Sequence, residues 1–240
     1  MKRAGSILIA AAVMICAVFT GTVTKTEAKS KSNIKIAIDA GHQARGNFST
    51  EPIGPGASTR KAKVAGGATG TATRVPEYKL TLRVAKKLQK ELTQRGYQVY
   101  MIRTKNNVNI SNKKRAQLAN KSGADIYIRI HADSSGSSTV RGASMLYPST
   151  RNRYVKKLSK ASKKLSSNII RAYSKKTGIR NRGLVQRDDL TGTNWSKIPV
   201  TLIEMGFLSN PTEDRLMQKG SMQNKMATGI ANGIDDYFGF

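Results

Sequence analysis

The chain has only two histidines, and each ends a short apolar run of the kind that forms a β-strand. His42 ends the run IAIDAGH, His131 ends IYIRIH, and a third run, VTLIE, ends on Glu204. Strands that end at one edge of an open α/β sheet bring their last side chains together. Catalytic zinc takes three protein ligands from histidine and carboxylate and keeps a fourth position for water. The three runs therefore favour a hydrolytic metal centre.

Glutamates are the natural source of a third ligand and of a general base. The base would take a proton from a water whose pKa zinc lowers to about 7. Glu77 begins a predicted helix and Glu204 ends a predicted strand, so both are candidates. The pattern does not decide which of them binds metal and which is the base. Four other glutamates are weaker candidates because of where they lie. Glu27 is in the N-terminal segment, Glu51 in a long loop, Glu91 within the first predicted helix and Glu213 on an expected surface turn.

A serine or cysteine nucleophile is not supported by the sequence. The chain has no Gly-x-Ser-x-Gly motif, and a serine triad would have to use one of the two histidines. Cys16 is the single cysteine and lies in the apolar run over residues 7–19 near the N-terminus. The mature chain would therefore have neither a thiol nucleophile nor a disulfide.

The N-terminus is organised like a secretory signal peptide. Lys2 and Arg3 precede an apolar run over residues 7–19, and small residues follow up to Ala28. A retained anchor is disfavoured because a membrane span needs roughly 20 apolar residues. We expect export with cleavage near Ala28, which assigns residues 1–28 to the signal peptide and residues 29–33 to a polar leader.

The net charge points to a polyanionic environment. Lys and Arg number 42 against 14 Asp and Glu, a formal charge of +28. A field of this size attracts polyanions. The signal peptide and the lack of aromatic residues among the basic ones argue against a nucleic-acid partner. For an exported protein the available polyanions are anionic wall polymers and lipid headgroups; a scattered, solvated surface charge is the alternative.

The rest of the chain alternates strand and helix patterns and predicts one α/β domain over residues 34–240. Further strands are expected at residues 98–103, 142–147 and 183–185, and helices at 77–95, 111–122, 151–177 and after Thr212 and Met222. Residues 43–76 are rich in Gly, Pro, Ser and Thr and are expected to form a long loop without secondary structure. Such a loop is usually functional, and here it could form one wall of a substrate groove.

From residue 35 to the C-terminus the chain resembles the zinc-dependent N-acetylmuramoyl-L-alanine amidases of the amidase-3 family. The segments that carry the resemblance are IAIDAGH at 36–42, VPEYKL at 75–80, RT at 103–104, RAQLAN at 115–120, IRIHAD at 128–133 and IPVTLIEMGFLSN at 198–210. The last is the most specific, because an apolar strand ending in Glu is followed by Gly-Phe-Leu-Ser-Asn.

The resemblance implies a single Zn²⁺ bound by His42, Glu77 and His131, with Glu204 as the catalytic acid/base. The implied substrate is peptidoglycan, cut at the amide between N-acetylmuramic acid and the L-alanine of the stem peptide. The implied fold is a single three-layer α/β domain whose mixed, mainly parallel sheet of about six strands is flanked by helices. We expect a secreted, wall-located monomer.

Departures from the family pattern leave the implied ligands untouched. Many members have Pro where this chain has Ala40, Ser where it has Arg129 and Asn where it has Asp133. We expect these changes to affect substrate preference or local charge. Asp39 is expected to orient the turn after its strand or a ligand histidine, and Asn210 to cap the turn after its own strand.

Two rival functions stay open. A zinc peptidase would cut within the stem peptide, and a non-catalytic protein on the same fold would bind or regulate the wall. The presence of both Glu77 and Glu204 argues against the second, because a degenerate relative usually loses a ligand or the base.

Overall fold

The computed structural model describes residues 30–240, so the expected signal peptide at 1–28 lies outside the described residues. The strands are β1 (Lys35–Ala40), β2 (Asn47–Pro52), β3 (Arg60–Val64), β4 (Gln98–Met101), β5 (Ile126–Asp133), β6 (Ala143–Tyr147), β7 (Asn181–Gln186) and β8 (Val200–Phe207). The α-helices are α1 (Glu77–Gln94), α2 (Asn112–Lys121), α3 (Ser159–Thr177), α4 (Thr191–Asn194), α5 (Pro211–Gln218) and α6 (Gly220–Phe238). None of these helices has both the length and the apolar character to cross a bilayer.

Six strands form one sheet in the order β4-β1-β5-β8-β6-β7. Strand β1 lies parallel to β4 and β5, and β5 lies parallel to β8. Strand β6 runs antiparallel to β8 and parallel to β7. The predicted mixed, mainly parallel sheet of six strands is confirmed.

Helices cover both faces of the sheet, as alternating strands and helices require. The larger core lies under α1, α3 and α6, where Ile38, Ile130 and Ile203 are fully buried. The other face carries a smaller core around Tyr127 and Ala116, covered by α2. Helix α6 crosses α3 so closely that a Cβ at Gly233 would overlap the backbone of α3. The fold is a three-layer α/β domain.

The ends of α1 and the start of α2 lie where the sequence predicts them. Helix α1 begins at Glu77 directly after Pro76, and Gly96 follows its end with φ +92°. Ser111 caps α2 by accepting a hydrogen bond from the Lys114 N–H at 3.2 Å. Helix α3 begins later than predicted, at Ser159, because the preceding segment is folded into a turn around the Asn152 side chain.

Strands β5 and β8 do not end at His131 and Glu204, as the apolar runs suggested. Each continues for two or three residues, and Asp133 still pairs with Phe207 after a register shift. The prediction failed because pairing with a neighbouring strand, and not the apolar run, sets the end of a strand. Consequently His131 and Glu204 lie on a face of the sheet rather than at its edge.

The segment 43–76 is not a structureless loop. Strands β2 and β3 pair antiparallel as a separate hairpin, with Glu51 opposite Lys61. The Glu51 carboxylate accepts the Lys113 N–H at 2.8 Å and ties the hairpin to the start of α2. The strands lack an apolar alternation because main-chain pairing and polar anchors hold them.

Candidate metal centre and active site

Three side chains from distant parts of the chain meet at one point. His131 Nδ1 lies 3.1 Å from His42 Nε2 and 3.1 Å from Glu77 Oε1, and His42 Nε2 lies 3.2 Å from Glu77 Oε2. All three ligand atoms fall within 4.8 Å of one another. A tetrahedral zinc ion with bonds near 2.0–2.1 Å separates its ligand atoms by about 3.3 Å. The spacing and the donor types therefore fit a zinc ion.

His42 is held in place through the backbone of its turn. The residue has φ +60°, a left-handed conformation that is uncommon for a non-glycine residue and persists when its surroundings enforce it. Two buried arginines supply the constraint. Arg103 donates to the carbonyls of Ala40 and Gly41 at 2.7 and 2.9 Å. Arg115 donates to the carbonyls of Ala40 and His42, both at 3.0 Å.

Hydrogen bonds from outside the cluster orient the side chains of His42 and Glu77. His42 Nδ1 lies 2.9 Å from the Ala65 carbonyl, which can only accept, so in the neutral imidazole Nδ1 carries the proton and Nε2 keeps its lone pair. The Glu77 oxygens accept the N–H groups of Ala68 at 2.9 Å and Ala132 at 3.0 Å. Both side chains are therefore oriented before any ion binds.

The protonation states of the cluster suit metal binding. Burial would raise the pKa of Glu77, but its hydrogen bonds to the two histidines hold that pKa far below the ordinary value, so it remains a carboxylate. Burial lowers the pKa of His131 to about 4, which keeps its imidazole neutral at physiological pH. For His42, the hydrogen bond and charge of Glu77 overcome burial and raise the pKa. A cation would have to displace any proton that His42 shares with Glu77.

Glu204 stands beside this cluster as a separate group. It is the register partner of His131 across β5 and β8, and its Oε2 is buried with no hydrogen-bond partner among residues 30–240. Burial, together with the charges of Glu77 and Asp133, raises the pKa of Glu204 well above its usual value. A bound cation would act in the opposite direction. A carboxyl group whose proton affinity is balanced in this way can both accept and donate a proton.

A groove of about 440 Å³ opens over these residues. Its floor is the face of the sheet, with His131 on β5 and Glu204 on β8. Hairpin β2–β3 forms one wall, and the segment from 187 to 192 forms the other. Lys61 of the hairpin bridges the walls, with Nζ 2.6 Å from Asp189 Oδ2. The expected contribution of segment 43–76 to a groove wall thus comes from an ordered hairpin.

Asp39 lies beneath the groove and makes no hydrogen bond to His42 or His131. Its carboxylate binds Arg115 at 2.7 Å and Arg129 at 3.3 Å, and it accepts the Tyr127 hydroxyl at 3.0 Å. Because Arg115 also holds the carbonyl of His42, Asp39 supports the turn through that arginine. Of its two expected roles, the structure supports orientation of the turn.

Two acids in α5 were missed or misplaced by the sequence reasoning. Glu213 is buried rather than on a surface turn, and it accepts the N–H groups of Gly142 and Phe207, both at 2.8 Å. Asp214 is fully buried and accepts the N–H groups of Ala72 and Thr73 in the segment that leads to Glu77. The one available signal was their place in the first turn of a helix, where carboxylates are favoured.

Asn210 caps the start of α5, as expected. Its side-chain oxygen accepts the N–H groups of Thr212 and Glu213 at 3.0 and 3.1 Å. The cap fixes where the chain turns after β8, and so places both α5 acids.

Comparisons with known proteins identify relatives in sequence and in fold. The family model described as N-acetylmuramoyl-L-alanine amidase, amidase-3, matches residues 36–236. The structure of the amidase Ami1 from Mycobacterium smegmatis aligns with a TM-score of 0.79 at 25% identity, covering 88% of this chain and 99% of that one. An N-acetylmuramoyl-L-alanine amidase from Clostridium difficile aligns with a TM-score of 0.69 at 29% identity, covering 85% and 96%.

A curated relative from Staphylococcus epidermidis, named "Probable cell wall amidase LytH", is 27% identical over 174 residues, 72% of this chain. That alignment spans 54% of the relative, so the chain accounts for about half of its length. The family match, in contrast, covers nearly all of the described domain. The chain therefore belongs to the amidase-3 family of N-acetylmuramoyl-L-alanine amidases.

Proposed function

We propose that the chain is a secreted, zinc-dependent peptidoglycan hydrolase that cuts the amide between N-acetylmuramic acid and the L-alanine of the stem peptide. One observation carries the proposal: two imidazole nitrogens and the two oxygens of one carboxylate converge at 3.1–3.2 Å on the floor of an open groove. Beside them lies Glu204, whose buried Oε2 has no hydrogen-bond partner among residues 30–240. Family membership supplies the substrate class.

His42, Glu77 and His131 would hold the zinc ion. When bound there, zinc would polarise the scissile carbonyl and lower the pKa of a water molecule to about 7. The neutral imidazole of His131 and the ionised carboxylate of Glu77 are the protonation states that such ligands need. Arg103 and Arg115 hold His42 in position by donating hydrogen bonds to the backbone carbonyls of its turn.

Glu204 would move the proton. As a carboxylate it accepts a proton from the attacking water, and as an acid it gives that proton to the nitrogen of the departing L-alanine. Its raised pKa supports the second half of this role, because a carboxyl group with a raised pKa retains a proton long enough to donate it. Its position opposite His131 supports the first half.

Export and wall location are part of the same proposal. The basic n-region and apolar run of residues 1–28 suit a cleaved signal peptide. The net charge of +28 suits contact with anionic wall polymers once the chain is outside the cell. We propose that it works there as a monomer with its catalytic domain at residues 34–240, without a nucleic-acid partner.

Product analysis on purified sacculi tests the proposed reaction. Mass spectrometry of the digest should show intact stem peptides with a free L-alanine amino group and glycan strands with free lactyl ends. Fragments cut within the stem peptide would instead identify a zinc peptidase. An intact wall after incubation with the zinc-loaded protein would indicate a non-catalytic binding or regulatory protein.

A further inference from the structure

Arg129 is a buried arginine on the floor of the groove. Arg129 is 4% exposed, and the exposed part of its side chain lines the groove. Arg129 and His131 are two residues apart on β5, so their side chains leave the same face of the sheet about 7 Å apart. A buried guanidinium group therefore borders the groove two residues along β5 from His131.

Only part of the Arg129 guanidinium is used by the protein. Nε donates to Asp39 Oδ2 at 3.3 Å, and Nη2 donates to Asn112 Oδ1 at 3.0 Å. Among residues 30–240, Nη1 donates no hydrogen bond. A guanidinium has five N–H donors in a planar fork, so the edge formed by Nη1 and the second Nη2 hydrogen is left open. Such an edge matches the two oxygens of a carboxylate.

The charge around Arg129 also favours an anion. Asp39 is shared between Arg129 and Arg115, so one carboxylate faces two guanidinium groups. On the groove wall, Asp189 is likewise shared between Lys61 and Arg187, at 2.6 and 2.7 Å. Each cluster therefore has one more positive than negative group. Glu204 interacts electrostatically with both Arg129 and Arg187 and offsets part of this surplus. Along the groove lining, three cations (Lys61, Arg129, Arg187) still outnumber two carboxyl groups (Asp189, Glu204), which favours a negatively charged part of a ligand.

The plane of the guanidinium is fixed by close packing. A Cβ added at Gly192 would lie 2.6 Å from Arg129 Cζ and 2.8 Å from Nη1, so the backbone of α4 must rest against the guanidinium group. With Asp39 and Asn112 on one edge and α4 beside the group, the fork has little freedom to turn. A preorganised donor pair of this kind loses little entropy when it binds an anion.

We propose that Arg129 is a specificity residue that binds a free carboxylate on the second residue of the stem peptide. The side chains of Arg129 and His131 leave β5 about 7 Å apart, which is about two residues of extended chain at 3.3–3.6 Å each, so Arg129 is placed towards the residue that follows the L-alanine. The inference rests on the proposed amidase function, since it places the scissile amide at the metal centre. It predicts that stem peptides with this carboxylate are preferred over stems that carry its amide.

The test uses two muramoyl peptides that differ in one group, a carboxylate or a carboxamide on the second stem residue. The measured quantity is kcat/KM for release of the peptide that begins with L-alanine. The zinc-loaded wild type should prefer the carboxylate by about tenfold or more, which corresponds to one charge-assisted hydrogen bond. Equal rates on the two substrates would overturn the proposal.

Variants assign the preference to Arg129. Arg129→Ser should bring the two rates to within about twofold of each other, because the carboxylate substrate slows more than the carboxamide substrate. Equal slowing of both substrates would show that Arg129 supports the fold or the charge of Glu204, and would overturn the proposal. Arg180→Ser, which removes an exposed arginine outside the groove, should leave the preference unchanged.

Two further variants cover the case in which Arg129→Ser does not fold. Arg129→Lys keeps the charge without the planar fork, so the preference should fall without vanishing. Gly192→Ala leaves Arg129 in the chain but pushes against its guanidinium, and should also reduce the preference. A wild-type preference retained in both variants would overturn the proposal.

A binding measurement separates this inference from the proposed function. If the wild type cuts neither peptide, the amidase proposal fails. Calorimetry then measures the Kd of each of the two peptides and tests the carboxylate site on its own. A Kd lower by about tenfold for the carboxylate peptide, with this difference reduced in Arg129→Lys, would keep the site as an anion-binding site. Equal Kd values for the two peptides would rule out the proposed carboxylate-binding site.

Discussion

Glu204 and His131 face each other as register partners on the parallel strands β8 and β5. This places a carboxyl group without a hydrogen-bond partner among the described residues beside a histidine that lies 3.1 Å from both other members of the cluster. Glu77 is engaged by both histidines, whereas no described residue hydrogen-bonds to Glu204 Oε2, and this difference supports the separate roles proposed for the two glutamates.

Glu204→Gln should abolish hydrolysis without removing the metal. Glutamine keeps the shape of the side chain but cannot take up the proton, and general acid/base catalysis contributes roughly 10²–10⁴-fold in rate. Digestion of sacculi measures activity, and atomic absorption measures zinc per chain. Glu91→Gln, which changes a half-buried glutamate of α1 outside the groove, is the matched control and should stay active. Loss of zinc from Glu204→Gln would place Glu204 among the ligands instead.

Asp39→Asn should destabilise the fold in a way that depends on pH. Burial would raise the pKa of Asp39, but Arg115 and Arg129 lower it from 3.8 to about 2. The ionised group therefore stabilises the fold fully above about pH 4, and this stabilisation is lost as the pH falls through about 2. At pH 7, removing the charge leaves two buried guanidinium groups without their partner, at a cost of about 3–5 kcal/mol.

Urea denaturation of the wild type and Asp39→Asn at several pH values measures this effect. The difference in free energy of unfolding should be constant above pH 5 and shrink by about 2 kcal/mol towards pH 2, as a shift of this size requires. A difference that stayed constant down to pH 2.5 would show that Asp39 is not ionised in the way its contacts suggest.

Glu213→Ala should destabilise the protein by about 2–5 kcal/mol. The substitution leaves the buried N–H groups of Gly142 and Phe207 without acceptors, and each such loss costs about 1–3 kcal/mol. Glu213→Gln retains one side-chain oxygen and should lose less. Thermal or urea denaturation measures both variants. Similar stability for Glu213→Ala and wild type would mean that water replaces the carboxylate.

Binding to cell walls should weaken steeply with salt. Exposed lysines on α3 have no carboxylate partner among residues 30–240: Lys160, Lys163, Lys175 and Lys176. The screening length falls from about 10 Å at 0.1 M to about 3 Å at 1 M ionic strength, so contacts that depend on such charges should be released. Co-sedimentation of Glu204→Gln with sacculi measures the effect without digestion. Binding that persists at 1 M salt would indicate specific recognition of the wall.

The fold and the cluster of ligands were largely predictable because their signals are local. Buried strands read as apolar runs, and His42 and His131 follow or lie within such runs. Glu77 was harder to find, since pattern alone left it equivalent to Glu204 and only the resemblance separated them. The structure adds the reason: the segment before α1 returns to the sheet and brings Glu77 against both histidines.

Other features depend on contacts that a sequence pattern does not show. Hairpin β2–β3 is held by main-chain pairing and polar anchors, so its residues have no apolar alternation. Glu213 binds backbone groups, one of which lies 71 residues away, and nothing around it in the sequence marks it as buried. The continuation of β5 past His131 depends on pairing with β8.

Zinc content measured together with activity tests the central claim most directly. The purified wild type should hold about one zinc per chain, lose hydrolysis of sacculi after chelation, and regain it when zinc returns. His42→Ala and His131→Ala should hold no zinc and release no stem peptides. Full activity in either histidine variant, or in the chelated wild type, would contradict the account.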